Sequence, residues 1–195
     1  VKQFARVGRR AMSDQALIIV DLQNDYFSGG RWPLVGIDAV AANAKRVLAR
    51  FRDTGTPVIH IRHEFETSDA PFFVPGSNGA QINECVLPEN GEPVVLKHHP
   101  NAFRDTELKT LLDERGIRKL TFLGAMSHVC IDATVRAAVD LGYDVTVVYD
   151  AIATRDLEFN GTAVPARQVH AAYMAALAFA YAKVIPTGEL IHSSE

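Results

Sequence analysis

Short, continuously apolar runs alternate along this chain with longer amphipathic stretches. The run Ala16-Leu17-Ile18-Ile19-Val20 stays apolar until Asp21 ends it, the pattern of a strand covered on both faces in a parallel sheet. A helical period follows, with Val40, Ala44, Val47, Leu48 and Phe51 on one face and with Gly55 and Pro57 to close it. The alternation then repeats. Strands are predicted over 58–62, 94–97, 119–123 and 144–149, and helices around 106–115 and 129–141. A last helix begins near Pro165, with Val169, Ala172, Tyr173, Ala176, Leu177 and Ala180 on one face, and Val184-Ile185 makes a short edge strand. Strands that alternate with helices define a three-layer α/β/α sandwich around a mostly parallel sheet. The stretches 63–93 and 154–164 lack either period. A connection as long as the first is uncommon inside a compact domain and usually builds a pocket wall or a subunit contact.

Composition narrows the function classes. The 195 residues are 48% hydrophobic and 22% charged, enough for one domain with a substantial core, taken here as 13–195. A formal net charge of −3 with no basic stripe argues against nucleic acid or an anionic membrane as partner and leaves a small molecule as the default. Cys85 and Cys130 are far apart and show no metal-type spacing, so they read as free thiols in a reducing compartment, the cytoplasm. No apolar stretch has the length of a membrane span. Strong patterning starts only after Met12, so 1–12 are expected to form an N-terminal extension, either one that precedes a native start at Met12 or an ordered arm.

In an open parallel sheet, ligands bind beyond the carboxyl ends of the strands. Three reactive residue types fall at such ends: Asp21 after the first strand, Lys97 at the end of the third, and Cys130 after the fourth. If Ser127 is an N-cap, Cys130 occupies the first turn of a helix, where the dipole favours thiolate over thiol. A carboxylate near the thiol can take its proton and return it to a leaving amine, and an ammonium nearby stabilises the thiolate. Backbone N–H groups of the turn from Gly124 to Cys130 are placed to hold an oxyanion. The chemistry these types support is acyl transfer to water through a sulfur nucleophile.

Three segments carry a resemblance. Leu17-Ile18-Ile19-Val20-Asp21-Leu22-Gln23-Asn24-Asp25-Tyr26-Phe27, Val95-Leu96-Lys97-His98-His99-Pro100-Asn101-Ala102-Phe103 and Gly124-Ala125-Met126-Ser127-His128-Val129-Cys130 together resemble the isochorismatase-like cysteine hydrolases, over about 16–185. The resemblance implies a Rossmann-like sheet and a catalytic triad of Asp21, Lys97 and Cys130, with a thioester on Cys130. It further implies a cis peptide between Ala125 and Met126, with the Met126 and Cys130 amides as oxyanion donors, and a homo-oligomer (dimer or tetramer). Family members that cleave the vinyl ether of isochorismate commonly have glycine in place of this cysteine. Cys130 therefore favours a carbon-nitrogen bond in a small amide, ureide or carbamoyl substrate, with isochorismate and nicotinamide as alternatives. Nicotinamidases of the family bind a metal through an Asp-x-His motif after the second strand, where this chain reads His60-Ile61-Arg62-His63-Glu64-Phe65.

His60 and His63 fall on opposite faces of a strand, as do His98 and His99, so no chelating pair forms and neither metal nor cofactor is expected. Phe27, His63, Phe103, Ser127 and His128 are the candidate substrate-binding residues, and the loop aromatics Phe27, Trp32, Phe72, Phe73 and Phe103 are expected either to be buried against their own loops or to line a substrate cleft or dimer seam. In a strand order 3-2-1-4-5-6, the strand of Lys97 is separated from that of Asp21 by another, so only the length of the lysine side chain can bring its ammonium to the site. Outside enzymology, a low-pKa thiol also suits a redox sensor, and the fold suits an α/β binding module.

Overall fold

The computed structural model describes residues 13–192, so the expected N-terminal extension lies outside the described residues. The chain runs β1 (Gln15–Val20), α1 (Ile37–Thr54), β2 (Val58–His63), β3 (Val94–Lys97), α2 (Leu108–Glu114), β4 (Lys119–Ala125), α3 (Asp132–Asp140), β5 (Asp144–Ala153), β6 (Leu157–Phe159), β7 (Thr162–Val164), α4 (Ala166–Ala180), β8 (Lys183–Ile185) and α5 (Thr187–His192). Six strands form one sheet in the order β3-β2-β1-β4-β5-β8, and every pair in it is parallel. The edge strand read as the sixth is thus β8, because β6 and β7 pair with each other in a hairpin inside the stretch expected to be irregular.

Side-chain alternation sorts the core onto the two sheet faces. Along β1, Ala16, Ile18 and Val20 join α2, α3 and α4 on one face, while Leu17 and Ile19 meet α1 on the other. The predicted face of α1 is the buried one, and Gly55 closes the helix in the left-handed conformation. The buried stripe of α4 instead runs through Val169, Met174 and Leu177, and Ala172 and Ala180 are exposed. The helix turns Met174 toward the sheet, where the longer side chain fills more space than the expected alanines.

Two local features aim the strand ends. Asp21 takes a positive φ of 53°, a left-handed conformation that aspartate tolerates better than most residues, and so ends β1 in a sharp turn. Gly124 pairs with Val20 and has φ 128°, and a Cβ there would collide with the Val20 carbonyl oxygen. Only glycine lets β4 pass so close to β1 just before the turn that carries Cys130. Opposite this point β5 bulges, jumping from Val147 to Ile152 between successive partners. The bulged Asp150 accepts hydrogen bonds from the Thr187 amide and hydroxyl, both at 2.7 Å, which docks α5.

Candidate active site

Asp21, Lys97 and Cys130 converge at the carboxyl edge of the sheet. The Lys97 ammonium lies 2.8 Å from Asp21 Oδ2 and 3.2 Å from Cys130 Sγ. Its side chain crosses beneath β2, is fully buried, and covers the gap that strand order imposes between β3 and β1. The third donor of the ammonium meets His63 Nδ1 at 3.0 Å. An ammonium cannot accept, so the His63 nitrogen facing it must, which places the imidazole proton on Nε2. His63 Nδ1 is also 3.9 Å from both Asp21 Oδ2 and Cys130 Sγ.

The helical address of Cys130 differs from the expected one. Ser127–Ile131 is a π-type turn, with extended Met126 before it and α3 after it. Ser127 is not its cap. The serine is buried, and its hydroxyl lies 2.7 Å from His170 Nδ1 and 3.4 Å from the Ala153 carbonyl oxygen. The peptide between Ala125 and Met126 is cis.

Charge and burial also reverse the expected state of the sulfur. Burial pushes the Cys130 thiol up to about 12, the Asp21 charge adds to this, and Lys97 only partly opposes it. At neutral pH the resting group is a thiol, because a neighbouring carboxylate and a dry site cost a thiolate more than one shared ammonium returns. Burial alone would lower the pKa of Lys97, but Asp21 and Cys130 outweigh it and hold the ammonium above its ordinary range. His63 is pushed down to about 4, chiefly by burial and also by Lys97.

Asp21, His63 and Cys130 offer ligand atoms within 4.8 Å of one another, a set that could hold a metal ion. The Lys97 nitrogen faces all three, at 2.8, 3.0 and 3.2 Å, and so supplies the positive charge that a metal would bring. A metal would have to displace a buried ammonium from its three partners, so the set fits a cation only in competition with Lys97. His60, on the opposite face of β2, pairs with Glu92 at 2.9 Å instead.

The remaining candidates scatter. His128 is half-buried on the same turn, with Nδ1 2.7 Å from Thr154 Oγ1, and it remains beside the site. Phe103 does not reach it. Its ring stacks on Tyr143 at 6.0 Å, at the amino end of β5, because the chain after β3 swings back along α3. Phe27 edges a cavity of about 630 Å³ lined by residues such as Asn24, Asn78 and Asn83 but by none of Asp21, Lys97 and Cys130. The aromatic wall nearest His63 is built from Phe65 and Phe73, with ring centroids 5.0 and 6.0 Å away, and continues through Phe72 to Tyr26 and Trp32.

Sequence reasoning missed the residues that hold this wall. Gln23, two positions after Asp21, is buried and donates to the carbonyl oxygens of His63 and Ala80 while its Oε1 accepts from the His63 amide at 2.7 Å. Asp25 accepts from the amides of Arg31 and Phe73 and so ties the loop after β1 to the long connection. Both stand in the first of the three resembling segments, and a polar residue beside an apolar strand end was the available signal. Arg155, with its guanidinium 4.0 Å from the Trp32 ring centre, lies in a stretch without period and gave none.

His63 supplies a test of this electrostatic arrangement. Its folded pKa lies below the unfolded value, so the unfolded chain binds the proton first as pH falls. The stability it contributes is complete above about pH 6.5 and is lost toward about pH 4, on the order of 3 kcal/mol for that depression. The urea midpoint should fall over this window, and less steeply in His63→Gln. His60, His128 and His170, also lowered by burial, keep part of the slope in both proteins. Equal slopes would refute the neutral, buried His63.

A parallel sheet that holds a buried thiol between a carboxylate and an ammonium at its carboxyl edge is the architecture of an isochorismatase-like cysteine hydrolase. A sequence profile of the isochorismatase domain matches residues 15–185, and the chain belongs to the isochorismatase family. It is 47% identical to the uncharacterized isochorismatase family protein YddQ of Bacillus subtilis (strain 168), over 88% of this chain and 96% of that one. Its fold matches the crystal structure of an Oleispira antarctica protein described as an isochorismatase hydrolase, with a TM-score of 0.89, 57% identity, and coverage of 92% and 96%. It is 30% identical to the ureidoacrylate amidohydrolase RutB of Enterobacter sp. (strain 638), over 76% of this chain and 79% of the relative.

Proposed function

We propose that this hydrolase cleaves a carbon-nitrogen bond in a small amide, ureide or carbamoyl compound through a thioester on Cys130. The observation that carries the reading is the Cys130 thiol 3.2 Å from a Lys97 ammonium that is itself paired with Asp21. As the sulfur attacks the carbonyl carbon, its proton passes to Asp21, and the oxygen that gains charge is held by the amides of Met126 and Cys130. Asp21 then gives the proton to the leaving nitrogen as the C–N bond breaks, which leaves the acyl group on sulfur. In the second half Asp21 takes a proton from water, the resulting hydroxide attacks the thioester, and the proton returns to sulfur as the acid leaves. Lys97 remains an ammonium throughout and stabilises whichever of its two partners carries the negative charge.

A cysteine nucleophile has no use in acid-catalysed ether cleavage, and the ureide named for the RutB relative supports the carbon-nitrogen reading. The test is a panel of ureido and carbamoyl compounds, nicotinamide and isochorismate, scored by ammonia release and by denaturing mass spectrometry of Cys130 after rapid quenching. Ammonia release with an acyl mass on Cys130 is expected. Turnover of isochorismate alone, with no adduct, would overturn the proposal.

A further inference from the structure

We infer that His170 of α4 is a positioning residue for the reaction: through Ser127 it fixes the turn in which the amides of Met126 and Cys130 receive the oxyanion. The inference rests on the thioester reading above and adds to it the device that holds the oxyanion donors in place. In an α-helical turn the Cys130 amide would donate to the Met126 carbonyl oxygen, four positions back. Here that oxygen accepts from the Val129 amide at 3.1 Å and from the Ile131 amide at 3.2 Å, and the Cys130 amide between them is passed over. The π-type widening of Ser127–Ile131 is what releases this N–H for a substrate oxygen.

Turns of this width are rare, and two side-chain ties brace this one from outside. The Ser127 hydroxyl, fully buried, lies 2.7 Å from His170 Nδ1 and 3.4 Å from the carbonyl oxygen of Ala153, the β5 residue that pairs with Ala125. His128 Nδ1 meets Thr154 Oγ1 at 2.7 Å, and its ring packs edge-on against Tyr173 with centroids 6.0 Å apart. His170 and Tyr173 stand three positions apart on α4, so one face of that helix backs the turn. Of the two ties, that of Ser127 directly adjoins Met126. It is spent entirely within the protein, because a buried hydroxyl held by an imidazole is not left for the substrate and caps no helix. Its use is geometric. A displacement of about 1 Å at a group that meets the transition state costs about 10²-fold, so a bond that fixes the donors governs the rate without touching the substrate.

The test sets acylation by p-nitrophenyl acetate against alkylation by iodoacetamide. Acyl transfer puts negative charge on a carbonyl oxygen and needs the oxyanion donors, whereas alkylation displaces iodide at carbon and does not. In the wild type the Cys130 sulfur takes the acetyl group as the ester C–O bond breaks, its proton passes to Asp21, and p-nitrophenolate leaves. The release that Cys130→Ala lacks therefore measures acylation. Ser127→Ala, His170→Leu and the double variant should each slow it by roughly tenfold to a hundredfold, and to the same extent because they break one tie. Alkylation of Cys130 at pH 9, followed by peptide mapping, should stay within about threefold in all of them, since no oxyanion forms. His170→Asn, whose amide reaches the place of Nδ1, should recover most of the acylation rate. The double variant separates this effect from a loss of fold. It removes both polar partners and should melt close to the wild type, whereas each single variant leaves one of them unpaired. Acylation that recovers with the melting temperature in the double variant, or that falls in step with alkylation in the single ones, would reduce the tie to support of the fold and overturn the inference. Unchanged acylation in all three would overturn it as well, with Cys130 still the nucleophile. A wild type whose p-nitrophenolate release equals that of Cys130→Ala would overturn the thioester reading, and the positioning with it.

Discussion

Replacing Cys130 by alanine is expected to remove hydrolysis by about 10⁴-fold or more while the protein remains folded, since a missing nucleophile cannot be replaced by the groups around it. The structure explains why the fold should survive. Cys130 is buried, but its sulfur is a neutral thiol at rest, so alanine removes a small hydrophobic group and one acceptor of Lys97 rather than a buried charge. Lys97 keeps Asp21 and His63, and the loss should be of the order of 1–2 kcal/mol. In a chain of this size that lowers the melting temperature by several degrees. Circular dichroism and a thermal melt establish the fold, and initial rates on whichever panel compound the wild type hydrolyses establish the loss. Undiminished turnover would remove the sulfur from the mechanism and leave Asp21 and Lys97 to act on bound water.

The geometry of the site was legible in the sequence to different depths. Asp21, Lys97 and Cys130 stood out because strand ends are marked by where apolar runs stop, and parallel strands place those ends on one edge. The reach of Lys97 was not legible. It depends on a side chain that runs under a neighbouring strand, and only the register of β3 on β2, with Lys97 opposite His63, fixes that path. The state of Cys130 was inferred with the wrong sign. A helix start favours thiolate, but burial and the Asp21 carboxylate, both products of tertiary packing, dominate here. Ser127 misled for a related reason: its hydroxyl turns inward to His170 of α4, a partner 43 positions away. Phe103 and Phe27 were placed by proximity in sequence to the motifs, and aromatic rings in loops go wherever the chain provides cover. Phe72 and Phe73, read in the sequence as loop aromatics that could line a cleft, stand with Phe65 in the wall around His63, but the course of their stretch depends on tertiary hydrogen bonds such as that between Asp25 and the Phe73 amide.

Asp21→Asn should separate the reactivity of the sulfur from its catalytic use. The carboxylate has two opposed effects on Cys130: it raises the thiol pKa at rest, and in the proposed mechanism it is the base that receives the proton when the thiol attacks. Asparagine keeps the shape, removes the charge and cannot accept that proton. Hydrolysis is therefore expected to fall by about 10³-fold or more. Alkylation of Cys130 by iodoacetamide near neutral pH should become faster, because Lys97 is left with the thiolate as its one anionic partner and the thiol pKa drops below its value of about 12. Well below that pKa, the alkylation rate rises roughly tenfold for each unit the thiol falls. The measurement is the pH profile of Cys130 labelling in the wild type and the variant, resolved by peptide mass. Cys85 serves as an internal reference, since burial holds its thiol near about 11 and Asp21 does not act on it. A site in which Asp21 merely supported the fold would lose labelling contrast and activity together, with both thiols more exposed. A sulfur that labels faster and catalyses far more slowly is the signature of a carboxylate that suppresses the resting thiolate and supplies the base at the moment of attack.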